Sequence, residues 1–481
     1  MNDSLARLVY AGVIAGLFYL DTDKSVRTSG ALWLPIVYLW IVPRALSVWL
    51  GIAPPSNIQL DGSPLDAAIL SLLLAAAVAV LCQRSRLTRA FLAANWPILI
   101  FYAYCLVSVT WSYYPTVAFK RWIKAVEDLV MVLVIVTDRQ PVAAVRRVFS
   151  RAGFLLLPIS VLYIKYFPDL GRGYTPDGLP MNKGVTTDKN TLGQIVLVIS
   201  LVVLWNVLTL LRDKEAPNRT RRLIAQVTLL AFGAVLLQMA DSSTSFACFV
   251  LGGGIILATG LRAMKRRPAR VHGLSLGILL TGALLMLGAQ STVTGTLGRQ
   301  SNFSGRTDIW AAAISAASNP IMGDGMDNFW IGPNVEKLQS TLSNAGWWHP
   351  EGLNEAHNGY IEIYLNLGWI GVCLIAVVLI SGYTRVAGAF RMNPTTGGPL
   401  LGYLLVAAFY SITEAGFRSP TYMQVFLLLA IFSATGVSAG FIGREKAKVP
   451  VSSRRPKLYN GCDLPTPPRD GDYPAQIEIS S

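Results

Sequence analysis

The fold is decided by NTLGQIVLVISLVVLWNVLTLL, residues 190–211, and by other stretches that are equally poor in charge. A helix needs about 20 such residues to cross the hydrocarbon core of a bilayer. Comparable stretches are residues 67–82, 223–240, 246–261, 274–290 and 422–442. Because the strands of membrane barrels alternate apolar and polar residues, these uninterrupted apolar runs predict helices.

Composition argues against a soluble enzyme. The 481 residues are 53% hydrophobic and only 14% charged, with a mean hydropathy of +0.47, whereas a soluble domain has about 25% charged residues. We therefore predict an all-α integral membrane protein, a polytopic bundle of about 12–13 transmembrane helices with a partly helical external loop. The candidate spans are residues 8–20, 31–50, 66–83, 92–110, 123–137, 149–167, 190–211, 223–240, 246–262, 273–292, 358–381, 399–413 and 421–442.

The net charge of +14 would suit a nucleic-acid partner, but its distribution indicates a membrane. Basic residues cluster in short loops such as 139–151, 212–222 and 262–270, while the alternating loops 51–64 and 241–244 have none. This is the positive-inside pattern. It predicts no nucleic-acid binding and a multi-pass protein of the bacterial cytoplasmic (inner) membrane, with the long stretch before His357 on the periplasmic side.

The same pattern predicts the domain organisation. Residues 1–294 are expected to hold transmembrane helices 1–10, and residues 295–356 a periplasmic loop with short helices near 305–318 and 334–343. Residues 357–442 are expected to hold the C-terminal transmembrane helices. Residues 443–481 are polar and rich in proline, so they predict a disordered cytoplasmic tail.

Histidine is rare, and His357 lies where the external loop enters a membrane helix, in Glu355-Ala-His-Asn-Gly-Tyr-Ile-Glu362. An ionisable side chain at such a place is a candidate functional residue. The alternative is that it only caps the helix at the interface. Trp330, Trp347 and Trp348 of the loop likewise suit either an interfacial aromatic belt or stacking on sugar rings.

Several cations fall on the external side, where basic residues are otherwise avoided: Lys120, Arg121, Arg172, Lys189 and Arg306. Grouped together they would suit an anionic headgroup such as a lipid pyrophosphate, although each alone could be an ordinary solvated charge. We find no nucleotide-binding fingerprint and no Cys/His cluster for a metal. Asp324 and Asp327 are assigned to turns.

An ordered set of motifs resembles the O-antigen ligase and polymerase superfamily. The set contains Ser108-Val-Thr-Trp-Ser-Tyr-Tyr-Pro115 followed by Arg121, Gly184-Val-Thr-Thr-Asp-Lys-Asn190, Ser304-Gly-Arg306 with Trp310, Pro320 and Gly323-Asp-Gly325, and the His357-Asn358 segment continuing to Gly371. Asp188 departs from a histidine that is common in relatives. Lys189 stands where many ligases carry arginine, which favours the exopolysaccharide polymerase branch.

The resemblance implies a metal-independent glycosyltransferase without a cofactor. It would move a glycan from undecaprenyl pyrophosphate to a sugar hydroxyl at the outer face of the cytoplasmic membrane, as an exopolysaccharide or O-antigen polymerase or as an O-antigen ligase. The implied partners are the undecaprenyl-pyrophosphate-linked glycan, a glycan or lipid A core acceptor, the lipid bilayer and polysaccharide export proteins.

Residue roles follow from the same resemblance. His357 would be the base for the acceptor hydroxyl or would orient it, and Arg306 and Lys189 would hold the departing pyrophosphate. We predict that these three line one cavity, with the histidine beyond the cations rather than paired with them. The expected substrate-binding residues are Arg121, Arg172, Asn190, Asn358, Glu362 and Trp310.

Two other functions stay open on sequence alone. A transporter or flippase of lipid-linked oligosaccharide would have the same composition, but the two halves of the chain do not look alike, as transporter repeats would. A scaffold for a polysaccharide export complex is the third candidate, and it predicts that single loop substitutions have no effect.

Overall fold

The computed structural model of the protein describes residues 3–440, apart from residue 24 and residues 53–59, 61, 176–177, 288–302 and 347–352. Helices dominate this part of the chain, which confirms the predicted all-α membrane class. The predicted tail, residues 443–481, lies outside the described residues, as do Trp347 and Trp348 of the large loop.

The α-helices follow one another with short connections. In chain order they are α1 (Asp3–Leu20), α2 (Trp33–Ile41), α3 (Leu46–Trp49), α4 (Pro64–Gln83), α5 (Ser85–Ala94), α6 (Trp96–Ser108), α7 (Pro115–Val136), α8 (Pro141–Tyr166), α9 (Pro168–Gly171), α10 (Lys189–Arg212), α11 (Arg219–Ala240), α12 (Ser243–Gly260), α13 (Arg262–Arg266), α14 (Arg270–Leu287), α15 (Phe303–Ala316), α16 (Asn334–Asn344), α17 (Gly359–Met392), α18 (Pro394–Thr413) and α19 (Tyr422–Ser438). Single turns of 3₁₀-helix lie at Gly30–Leu32, Val109–Trp111 and Phe329–Ile331.

A small hairpin precedes α10. Strands β1 (Arg172–Tyr174) and β2 (Pro180–Asn182) pair antiparallel, with Arg172 opposite Asn182.

Eight of the described helices are long and apolar enough to cross a membrane, or nine if α5 and α6, which meet at 86°, form one broken span. The remaining predicted spans correspond to α2, α7, α14 and α19. These helices are shorter, carry several charges, or adjoin residues outside the described chain. The protein is therefore a multi-pass membrane protein, and the expected dozen spans include helices of both kinds.

Burial separates central helices from peripheral ones. Within the protein, 78% of the apolar window of α10 and 83% of that of α18 are buried, against 11% for α1 and for α4. An apolar helix whose surface the protein leaves uncovered must bury that surface in lipid. The helices α10 and α18 therefore lie at the centre of the bundle, and the residues discussed below stand at one end of each.

The helix α17 is broken near its start, and part of the large loop docks into the break. Gly368 has φ 63° and ψ −166°, a conformation outside the helical region. The N–H of Ile370 donates to the carbonyl of Ile321 at 3.2 Å, and the N–H of Asp324 donates to the carbonyl of Leu365 at 3.0 Å. A Cβ atom at position 368 would lie 2.1 Å from the carbonyl oxygen of Ile321, so only glycine fits.

Candidate functional site

A cavity of about 1320 Å³ brings together the rarest side chains of the sequence. His357, Arg306 and Lys189 all line it, together with Asn190. They come from three separate stretches of chain: the segment before α17, the first turn of α15 and the first turn of α10. Three residues predicted to act together therefore share one cavity, although their roles are not shown by this placement.

The backbone around His357 explains why the pair His357-Asn358 occurs together. Asn358 is the N-cap of α17, and its side-chain oxygen accepts hydrogen bonds from the N–H groups of Tyr360 (3.0 Å) and Ile361 (3.1 Å). His357 has φ 49°, an uncommon left-handed conformation for a residue other than glycine. The cap thus starts the helix at Gly359, and the turn before it places the imidazole in the cavity.

The peptide just before His357 is held from both sides. The N–H of Ala356 donates to the carboxylate of Glu362 at 2.5 Å, and its carbonyl accepts from the indole N–H of Trp310 at 2.7 Å. Glu362 also accepts from the indole of Trp330 at 2.9 Å. These buried contacts fix the segment that carries the histidine.

Three of the predicted substrate-binding residues, Asn358, Glu362 and Trp310, lie outside the lining of the cavity. Each is engaged with the protein's own backbone, and these contacts position the segment that carries His357. Their contact with a substrate stays a prediction.

Glu414 connects the predicted site residues to one another. It is the C-cap of α18, and its side chain is only 5% exposed. Arg306 donates to its Oε1 at 3.0 Å and also to the carbonyl of Thr413. His357 reaches Oε2 at 3.2 Å, and Asn190 reaches the same oxygen at 3.5 Å. The histidine and the arginine are not paired directly, but they share this carboxylate.

Lys189 stands at the positive end of a helix. Asp188 is the N-cap of α10 and accepts from the N–H groups of Asn190 and Thr191, each at 2.9 Å. The nitrogen of Lys189 lies 3.9 Å from a carboxylate oxygen of Asp241, and both side chains are partly exposed. A cation on the first turn of a helix adds to the positive end of the helix dipole, which suits an anion. The side chain of Asp188 thus has a structural role as the cap of this helix.

His357 lies between two carboxylates. Its Nδ1 is 2.8 Å from Oε1 of Glu355 and 3.2 Å from Oε2 of Glu414. Burial alone would lower the pKa of the imidazole, but the two carboxylates outweigh it and raise the pKa from 6.5 to about 10. Burial alone would raise the pKa of Glu355, and the nearby His357, Arg418 and Arg306 bring that pKa below its ordinary value. At neutral pH the imidazole is therefore a cation facing carboxylates.

The same three side chains place oxygen and nitrogen atoms within 4.8 Å of one another, a spacing that a metal ion could also use. Both carboxylates reach the same imidazole nitrogen, so a single proton on that nitrogen also satisfies the arrangement.

Two predicted cations lie away from the cavity. Arg121 is bound to Asp327, at 3.4 Å between its Nη1 and the carboxylate. The side chain of Arg172 donates to the carbonyl of Ile164 at 2.9 Å. Neither lines the cavity. Asp327 lies in a turn, as predicted, and its carboxylate also joins Arg121 to Arg418, whose Nε lies 3.1 Å away.

Sequence analysis missed Glu414 and the cavity-lining cations Arg44 and Arg418. Glu414 and Arg418 lie in the short connection between α18 and α19, two apolar helices. Two charges in so short a turn, on the same predicted side as the large loop, were the available signal. Arg44 falls inside the predicted span 31–50, whereas the helix α2 ends at Ile41, before this residue.

Comparison with known proteins agrees with the motifs. Residues 227–376 match a protein-family model described as O-Antigen ligase, a range that includes Arg306 and His357. The exopolysaccharide production protein ExoQ of Rhizobium meliloti (strain 1021) is 24% identical over 295 residues, which cover 60% of this chain. The match spans 64% of that relative's length, a little under two thirds. Over these regions the chain is similar to an O-antigen ligase family and to an exopolysaccharide production protein.

Proposed function

We propose that the protein is a membrane glycosyltransferase that moves a glycan from undecaprenyl pyrophosphate to a sugar hydroxyl at the outer face of the bacterial inner membrane. The observation that carries the proposal is that Arg306, Lys189 and His357 line one cavity. The family match supports the class of reaction.

The cations suit the leaving group. Pyrophosphate gains negative charge as the glycosidic bond breaks, and fixed positive groups in a sheltered cavity stabilise that charge more than water does. Arg306, the N-terminal turn of α10 with Lys189, and the protonated His357 would supply them. The energy of transfer comes from the donor bond itself, so the reaction needs no nucleotide site.

The chain's own cations meet this charge, so the proposed reaction needs no metal. Transfer should survive dialysis against EDTA. Loss of transfer with EDTA and its return with a divalent cation would contradict this part of the proposal.

The test uses purified protein with a synthetic undecaprenyl-pyrophosphate oligosaccharide, with and without a lipid A core acceptor. A ladder of products without the core would indicate a polymerase, and a single transfer onto the core would indicate a ligase. The relative named for exopolysaccharide production and the lysine at position 189 lead us to expect the ladder. Movement of the intact donor across vesicles without any transfer would instead favour a flippase.

Substitutions of the cavity cations test their role in transfer, and a matched control separates that role from general effects on folding. His357→Ala and Arg306→Ala should each reduce transfer at least about 10²-fold, the usual effect of losing one group that stabilises the transition-state charge. Lys189→Arg should retain activity because it keeps the charge. Lys337→Ala, which removes an exposed cation of α16, is the matched control and should transfer normally.

A further inference from the structure

The proton on His357 Nδ1 is fixed by its neighbours. This nitrogen lies within 3.2 Å of oxygens from both Glu355 and Glu414. Carboxylates accept hydrogen bonds and do not donate them, so Nδ1 must carry the proton. Only Nε2 then remains to accept a proton from a substrate.

The charges around the histidine determine the state of Nε2. Glu355 and Glu414 supply two negative charges, and Arg306, which is paired with Glu414, supplies one positive charge. The other nearby cation, Arg418, is balanced by its own ion pair with Asp327. A neutral imidazole would leave this half-buried group with an excess negative charge, whereas a protonated one balances it. A protonated imidazole has no lone pair, so it can donate a hydrogen bond but cannot act as a base.

The three carboxylates among the lining residues of the cavity differ in their ability to accept a proton. Both oxygens of Glu414 are engaged, and its side chain is nearly buried. The carboxylate of Asp188 is used by the cap of α10. Glu355 differs from both, because its side chain is 26% exposed and, among the described residues, its Oε2 makes no hydrogen bond. Glu355 is also a lining residue of the cavity.

We propose that Glu355 is the base that accepts the proton of the incoming sugar hydroxyl, while His357 acts as a fixed cation. This inference rests on the proposed function. The hydroxyl oxygen bonds to the anomeric carbon, and its proton passes to Oε2 of Glu355. The bond from the anomeric carbon to the pyrophosphate oxygen breaks, and its electron pair stays on the departing undecaprenyl pyrophosphate. Glu355 afterwards returns the proton to water.

Steady-state kinetics of Glu355→Gln test the assignment. The amide keeps the size of the side chain but cannot accept the proton, so kcat should fall by about 10²-fold or more while the KM for the donor stays within about threefold. Glu355→Asp should recover part of the lost kcat. Glu336→Gln, at an exposed acid of α16, is the matched control and should keep full activity.

The dependence of kcat on pH gives a second measurement, which a merely structural role of Glu355 would not change. The charged and titratable groups around Glu355 are His357, Arg306, Arg418, Glu414, Glu362 and Tyr410. With Glu355 as base and its pKa lowered, kcat should be level from pH 6 to 9 and fall as His357 loses its proton near pH 10. If His357 were the base, its neutral fraction and kcat would rise about tenfold per pH unit over that range.

The outcomes distinguish failure of the Glu355 assignment from failure of the proposed function. A kcat that rises through pH 6–9, or wild-type transfer accompanied by full activity of Glu355→Gln, would overturn the assignment and leave the proposed function standing. No transfer by the wild-type protein would overturn the proposed function and this assignment with it.

Discussion

At the scale of single residues, the charge on His357 should be visible in the stability of the folded protein. Its pKa is raised from 6.5 to about 10 on folding. The folded state therefore binds this proton more tightly, and the resulting stabilisation is complete below pH 6.5 and lost as the pH rises through 10. We expect the melting temperature of the wild type in detergent to fall more steeply between pH 7 and 10 than that of His357→Gln. Parallel curves would contradict a raised pKa.

The indole of Trp310 tests the distinction between positioning and substrate binding. Trp310→Phe keeps an aromatic ring but removes the donor to the carbonyl of Ala356. One hydrogen bond contributes about 0.5–1.5 kcal/mol net, so we expect a two- to tenfold fall in kcat through misplacement of His357. The KM for donor and acceptor should be unchanged. A rise in KM alone would show that the indole instead contacts a sugar.

Sequence patterns pointed both to residues that line the cavity and to residues that lie outside it, for a physical reason. His357, Arg306 and Lys189 are rare charges on one predicted side of the membrane, so they stand out before any packing is known. Glu414 does not stand out, because its role depends on its contact with Arg306 of α15, which is far away in the sequence. Glu362 matched a motif, but a motif does not tell whether a carboxylate binds a substrate or the backbone of Ala356.

At the scale of elements, the break in α17 should be essential to the site. Gly368→Ala would place a methyl group against the backbone of Ile321 and strain a left-handed residue. This combination of positive φ and extended ψ is essentially restricted to glycine and costs another residue about 1–3 kcal/mol. We expect a lower melting temperature and a loss of transfer.

Gly254→Ala is the matched control, because a methyl group added at that position of α12 meets no atom within 4 Å. It should melt at or above the wild-type temperature. Equal behaviour of the two alanine variants would show that the docked loop contributes little.

The helices themselves were predictable, and their ends were less so. Residues 190–211 correspond closely to α10, because a long apolar run without charge crosses a bilayer as a helix. The span expected at 123–137 begins earlier, at Pro115, since Lys120 and Arg121 interrupt the hydrophobic run without interrupting the helix. The break at Gly368 was not predicted, because only the docked loop reveals why the helix stops there.

At the scale of the whole molecule, the orientation in the membrane remains a prediction. The distribution of lysine and arginine places α16 outside the cell membrane and residues 443–481 inside. Ser340→Cys, at an exposed position of α16, should react with a membrane-impermeant thiol reagent in intact spheroplasts, whereas Cys462 should react only after lysis. Labelling of Cys462 in intact spheroplasts would reverse the orientation.

The part of the large loop that docks into the break of α17 also determines when a newly made chain can assemble its site. Lys189 enters the membrane early in synthesis, but the backbone groups that receive the loop belong to residues 365–370, and Glu414 follows later still. Until the ribosome has released that part of the chain, the amide of Asp324 and the carbonyl of Ile321 lack their partners. The cations, the histidine and the carboxylates can therefore meet only after Glu414 has left the ribosome. A chain stalled before that point would leave Arg306 and His357 without the carboxylate of Glu414 that pairs with both.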